Sequence, residues 1–449
     1  MISCSRSVGN MPRQECRAIS SLGVSYLVLA ASLLVALPGP IHAQESDGVT
    51  TNSAAPKFDI QPMTQVNEAE HLGYFGDPYP IHLAPWLEQV LPQYFSGTTS
   101  EILQCQRPIK PECFSATPIT VTPGDEISEA IKAAGTTIYD QINHNIYQDL
   151  NGKWQMAVTL YVRENAHPAV HWTVIAHAHP DDPASLIPPT TWIADTILAG
   201  SLSQQAFANY DGKYFEDEGQ LYLIYSKRLI SKPVEHDGVV ALKMNSVTQP
   251  SSAMPVVLLD PSDVNNGFNS EYFHTVPPAG DTFKLIETGN ITKIAGKYVM
   301  AYSAGDYQQL DYKTGVAFSD TLLPEEGKTY RRVLQEDTNG VWGQPGHLEV
   351  HYLLQSQKSG WPNYIASQVI GPGVPSIVQE PSGQYYLYFD GFLPTNIKPA
   401  PQDPNNPFDI EADLRRPFFV PLKVTVPANG TVSSATDEEL ASWITPQSK

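Results

Sequence analysis

The chain has 449 residues and a formal net charge of −20, only 16% of its residues are charged, and 10% are aromatic. Such an acidic chain is repelled by nucleic acid and by anionic lipid surfaces, so a neutral polymer is the partner its charge permits. Abundant Tyr, Pro and Gly suit many short strands joined by tight turns, with aromatic faces available to sugars.

Residues 1–43 read as a cleavable export signal. Arg6, Arg13 and Arg17 supply the positive start, Leu22 to Leu37 the apolar run, and Pro38-Gly39-Pro40 the break before Ile41-His42-Ala43. No other stretch is long and apolar enough to span a bilayer, so the mature chain is expected to be secreted or periplasmic. Loss of the leader's three arginines and one glutamate takes the charge from −20 to −22. Cys4 and Cys16 leave with it. Cys105 and Cys113, close together in CQRPIKPEC, are expected to form a local disulfide; a zinc pair is the weaker alternative, lacking further ligands nearby.

Residues 44–66 are polar and aperiodic, the pattern of a disordered linker, and residues 67–120 carry no firm assignment. Thr122 to Gly135 predict one helix, with Asp125 as cap, Ile127, Ala130, Ile131 and Ala134 on one face, and Gly135 as the stop. Strands follow. Segments 143–162, 211–226, 287–303 and 371–389 share one pattern: alternation, a turn glycine (Gly152, Gly219, Gly296, Gly383), then an aromatic-rich strand. Their spacing of roughly 70–90 residues fits a four-stranded sheet each time. A fifth sheet could combine 415–426 with N-terminal strands and close a ring, and SATDEELASWI predicts a short capped helix. The expected fold is all-β, a five-bladed β-propeller over 67–449 with an N-terminal extension containing a short helix.

The segment ETGNITKIAGKYVMAYSAGDYQQLDYKTGVAFSD, opening on Glu287, resembles the third-blade signature of glycoside hydrolase family 43, with Tyr302-Ser303-Ala304-Gly305 and Tyr312 to Ser319 as its later elements. DGKYFEDEGQLYLIYS resembles the second-blade signature, where an Asp stands eight residues before the turn glycine, as Asp211 does before Gly219. GPGVPSIVQEPSGQYYLYF resembles the fourth. The resemblance, covering 143–392, implies an inverting glycosidase of the arabinanase, xylosidase or arabinofuranosidase type. In it Glu287 is the general acid and Asp211 the neighbour that keeps the acid protonated and oriented. The general base falls by turn spacing near Asn143, an amide. Asp140 is the expected carboxylate in its place. Asp77, in an Asp-Pro opening, is the alternative, though it lies upstream with no matching hairpin. Val374 stands where the family has a histidine that helps hold a central ion, so a structural calcium finds no support there.

His177 and His179 share a strand face near Asp181 and Asp182, without the spacing of a strong metal motif, and read as a polar strand end; His167 and His171 lie just upstream. Asn290-Ile-Thr and Asn429-Gly-Thr are glycosylation sequons, and a glycan on Asn290 would obstruct Glu287. The expected partner is a carbohydrate substrate bound by a monomer. Two other readings remain: a glycan-binding propeller that has lost its base, and a right-handed β-helix. Blade-length spacing argues against the β-helix.

Overall fold

The computed structural model describes residues 58–449 except 64–76, 98–99, 108–114, 183, 204–207, 231–235, 262–271, 275–281, 306, 308–311, 338–346, 357–362, 397, 400–407, 410–414 and 428–429. The expected leader, Cys113 and Asn429 lie outside the described residues.

The chain is an all-β propeller. Blade I pairs Tyr79–Pro80, Gln93–Ser96, Glu101–Cys105 and Ser115–Pro118. Blade II pairs Thr136–Gln148, Trp154–Glu164, His171–Pro180 and Thr191–Ala199, with Thr120–Pro123 added in parallel at its outer edge. Blade III runs through Asn209–Asp217, Gln220–Ile230, His236–Ser246 and Val256–Leu259. Blade IV runs through Thr282–Ile294, Lys297–Ala304, Lys313–Ser319 and Arg331–Arg332. Blade V comprises Ile370–Gln379, Tyr385–Phe392 and Arg415–Val424, edged by Ile444–Pro446 and by Gln61–Pro62.

The four turn glycines carry the repeat. Gly152, Gly219, Gly296 and Gly383 have φ of 76–88°, the left-handed region that a Cβ disfavours. Beyond each turn, alternate side chains of the second strand enter the seams between blades. Every seam has its own apolar core: Ile146, Trp154 and Met156 between I and II; Tyr214, Ile175 and Leu223 between II and III; Val239, Met300 and Ile291 between III and IV; Phe389, Val299 and Phe318 between IV and V; Phe95, Tyr388 and Phe419 between V and I. That closed series of five seams defines the ring.

Three expectations are corrected. Segment 415–424 does not found a blade of its own: it is the third strand of blade V, and the extra blade is built instead from 79–118. The pairing of 415–424 with an N-terminal strand does occur, Gln61 opposite Phe419, and Phe58 bridges Ser448. The expected linker does not extend to residue 66, because Phe58, Ile60 and Met63 bury their apolar side chains against blade V; residues 44–57 lie outside the described residues. In the helix Asp125–Ala134, Gly124 rather than Asp125 is the cap, Ile127 is buried and Gly135 closes it at φ 66°. The C-terminal helix Asp437–Trp443 starts on a capping box between Thr436 and Glu439, and Trp443 stacks on Phe318.

Candidate active site

Each blade carries, in its inner strand or, in blade I, just before it, a non-glycine residue at positive φ: Asp77 (58°), Asn143 (54°), Asp211 (56°), Thr288 (58°) and Val374 (51°). In blades II to V the ladder slips at this point, as a β-bulge requires. Strained backbone of this kind persists only where its surroundings hold it. The hold is repeated. Asp211 N–H donates to Thr159 Oγ1 (3.1 Å), Thr288 N–H to Ser226 Oγ (3.0 Å) and Val374 N–H to Ser303 Oγ (2.7 Å), each acceptor lying on the second strand of the preceding blade. At the closing seam, Asp77 N–H donates to Asp390 Oδ2 (3.2 Å).

The bulges gather three carboxylates. Asp77 and Asp211 are buried at 8% and 4% exposure, and Glu287, one residue before the blade IV bulge, is half-buried. All three bear on Lys213, two residues beyond Asp211 and 5% exposed. Burial pushes the Lys213 ammonium down to about 8, against the pull of Asp211, Asp77 and Glu287. Its Nζ faces the carbonyls of Asp211 (3.4 Å) and Gly289 (3.5 Å) and lies 4.4 Å from the centre of the Tyr79 ring. Tyr79, from blade I, is itself pushed up by burial and by the charges of Asp211 and Asp77. Groups from blades I, III and IV thus meet at the axis.

Each carboxylate has a fixed partner. Asn143 Nδ2 donates to Asp77 Oδ2 (3.0 Å), so the amide in blade II orients the acid of blade I. Tyr312 Oη donates to Glu287 Oε1 (2.5 Å), and burial and the Glu287 charge keep that phenol protonated. The Tyr312 ring lies against the blade V backbone at Gly373, where a Cβ would come within 2.0 Å of the ring. Arg415 sits 5.0 Å from the ring centre, holds Asp390 through two hydrogen bonds and donates to the Tyr307 carbonyl. Tyr210, held up by burial and by Asp237, donates to Asp237, which Arg228 neutralises.

Of the residues singled out from sequence, Asp211 and Glu287 come together and Asp140 does not join them. Asp140 is half-buried, accepts the Gln141 N–H (2.8 Å), and its charge bears on Tyr139. The blade II bulge falls at Asn143, which puts the amide at the ring and leaves Asp140 three residues before it. Asp77 is the third carboxylate of the group. Its hairpin carries no glycine signature, because the helix Pro85–Glu88 replaces the glycine turn between Tyr79–Pro80 and Gln93–Ser96. Lys213 gave no signal at all: a lysine after an Asp-Gly pair reads as a solvated turn residue.

The calcium that the family resemblance implies does not fit these residues. Val374 offers an apolar side chain at 2% exposure, and the Lys213 ammonium occupies the space between the axial carbonyls. Among the described residues, no group of three or more His, Cys, Asp and Glu side chains is placed to hold a metal. His177 is bound between Asp195 (2.7 Å) and Gln155 (2.9 Å) within blade II, away from the bulges. Asn290 Nδ2 donates to the buried Ser376 Oγ (2.7 Å), so a glycan there would have to break a seam contact.

No protein-family model and no curated protein matches the chain. Solved structures do. A thermostable family-43 glycoside hydrolase superposes with a TM-score of 0.50 at 18% identity, over 83% of this chain and 97% of that one. An exo-1,5-α-L-arabinanase from a bovine ruminal metagenomic library superposes with a TM-score of 0.50 at 14% identity, over 84% and 98%. The fold is that of the five-bladed family-43 propellers, in a divergent form.

Proposed function

We propose that the protein is an exported glycoside hydrolase acting on arabinose- or xylose-containing polymers or oligosaccharides, with Glu287 as general acid and Asp77 as general base. The observation that carries this reading is that the charges of Asp77, Asp211 and Glu287 all act on the buried Lys213, and those of Asp211 and Asp77 also on the buried Tyr79. Two solved structures of the same fold bear glycosidase names.

Inversion needs a protonated carboxyl at the leaving oxygen and a carboxylate that activates water on the other face of the sugar. Tyr312 donates to Glu287 Oε1, so Oε1 is an acceptor and the transferable proton belongs on Oε2. Asn143 donates to Asp77 and orients it to accept a proton from water. Asp211 places a like charge near Glu287, which disfavours ionisation of the acid. The glycan-binding alternative draws on the amide at Asn143 and on Val374; Asp77, held by Asn143, supplies a carboxylate that answers the first of these and leaves the second.

The test is hydrolysis of arabinan, arabinoxylan, xylan and activated aryl glycosides by the wild type, Glu287→Gln and Asp77→Asn. The expected outcome is release of sugar of inverted configuration, read by NMR, and a loss of ~10²–10⁴-fold in each variant. Wild-type activity that survives both substitutions would remove these residues from the mechanism, and inactivity on every substrate would sink the hydrolase reading.

A further inference from the structure

We propose that Lys213 is the built-in counter-ion of the axial carboxylates and a positioning residue of the site, holding Asp211 and Asp77 ionised and leaving the proton on Glu287. The second half of this statement rests on the reading of Glu287 as the acid; the first half does not.

Burying a lone ammonium is strongly unfavourable, so a lysine at 5% exposure needs compensating charge or dipoles. Lys213 has both. Carbonyl oxygens from blades III and IV face its Nζ, the Tyr79 ring from blade I covers it, and the charges of Asp211, Asp77 and Glu287 act on it. The titratable groups around it are Asp77 and Tyr79 from blade I, Asp211 on its own strand, Glu287 on the inner strand of blade IV, and Tyr312 before the third strand of that blade. Arg415 of blade V is the next cation outward, and it is engaged by Asp390. Two buried aspartates and a half-buried glutamate whose charges reach one ammonium also repel one another, and such a group normally retains protons. One fixed positive charge removes part of that repulsion unequally. Asp211, two residues from Lys213 on its own strand, and Asp77 are the buried members of the group and Glu287 the half-buried one, so the field of the buried ammonium falls mainly on the two aspartates. The result is a site whose base is charged while its acid keeps its proton. It also explains how the axis dispenses with the ion that Val374 cannot help to hold.

The test compares the full-length wild type with Lys213→Met and Lys213→Arg by thermal unfolding across pH. Without the ammonium, the folded Lys213→Met retains a carboxyl proton that its unfolded chain has released. Its Tm is therefore expected to rise relative to wild type, by roughly 5 °C, as pH falls from about 8 to about 5.5. A lysine that merely fills space would give parallel curves, and parallel curves overturn the proposal. Should Lys213→Met not fold, the equally uncharged Lys213→Gln takes its place: the same relative rise toward about pH 5.5 is expected, and parallel curves overturn the proposal. Lys213→Arg keeps the charge and is expected to follow the wild type over that range, so a rise like that of the uncharged variant overturns the proposal. In hydrolysis, Lys213→Met is expected to lose ~100-fold in kcat with little change in KM, and Lys213→Arg to recover part of it. An unchanged kcat overturns the positioning role alone. A wild type that hydrolyses nothing overturns the proposed function and leaves the unfolding measurements to decide the counter-ion.

Discussion

The seam that closes the ring, between blades V and I, is built differently from the three other seams whose bulge contacts are described. Within the chain, one hydroxyl per seam (Thr159, Ser226 or Ser303) caps the next bulge over a substantial apolar core. At the closure the cap is the carboxylate of Asp390, locked by Arg415. A second pair, Arg107 with Glu380 (2.7 Å), spans the same seam, and the buried apolar cluster shrinks to Met63, Phe95, Leu103, Tyr388 and Phe419. A hydroxyl cap is enough where continuous chain already holds neighbours in register. Where the ring closes without a direct covalent link, charged and directional bonds set the register instead, because apolar contact alone is non-directional.

The largest expected effect breaks the closure. Asp390→Ala takes from Arg415, at 1% exposure, the carboxylate that holds it through two hydrogen bonds, and removes the acceptor for Asp77 N–H. A loss of about 3–5 kcal/mol in urea unfolding is expected. A loss below about 1 kcal/mol would mean that closure does not depend on the pair.

Next is Arg107→Met, expected to cost about 1–3 kcal/mol at neutral pH by leaving Glu380 in its buried place without a counter-charge. Burial already holds the Glu380 carboxyl above the usual range and Arg107 pulls it back, so the substitution raises it further. A carboxyl held higher in the folded than in the unfolded chain binds its proton preferentially when folded, so acidification stabilises. The deficit of Arg107→Met should shrink between pH 7 and pH 5, as followed by Tm; a deficit that grows would contradict this account.

An internal seam should yield less. Ser303→Ala removes the acceptor for Val374 N–H and the partner of the Thr288 hydroxyl, both buried, for about 1–2 kcal/mol. Equality with Asp390→Ala in the same unfolding assay would erase the distinction between closing and internal seams.

These contrasts also show what could be read from the amino acids. The turn glycines and the aromatic strands after them were legible because positive φ and inward alternation constrain residue type directly, so blades II to V were visible as hairpins. Blade I was not: a helix stands in its turn, and Tyr79–Pro80 is too short to alternate. For the same reason 415–424 looked like a blade without a hairpin, when it is the third strand of blade V. In the site, motif resemblance points to Glu287 and Asp211, and the structure groups Asp77 with them while Asp140 lies apart. Counting back from a turn glycine locates a bulge only to within a few residues, and the blade II bulge falls on Asn143. Lys213 and Asp390 were invisible because their roles come from groups more than 60 residues away in sequence, Gly289 for one and Asp77 for the other.

The smallest expected effect tests the register itself. Thr159, Ser226, Ser303 and Asp390 each stand opposite the residue before a bulge, and Thr98, by the same count in blade I, lies outside the described residues. Ser96 is two positions earlier on its strand, where blades II and IV place Ala157 and Ala301. That is a core position, not a capping one. Ser96 is 0% exposed, and its Oγ finds no partner among the described residues. A buried hydroxyl without a bond is a liability that a methyl group does not share. Ser96→Ala is therefore expected to leave stability within about 0.5 kcal/mol of wild type or to raise it. A loss of about 1 kcal/mol or more would assign Ser96 a capping role and shift the register of blade I by two residues.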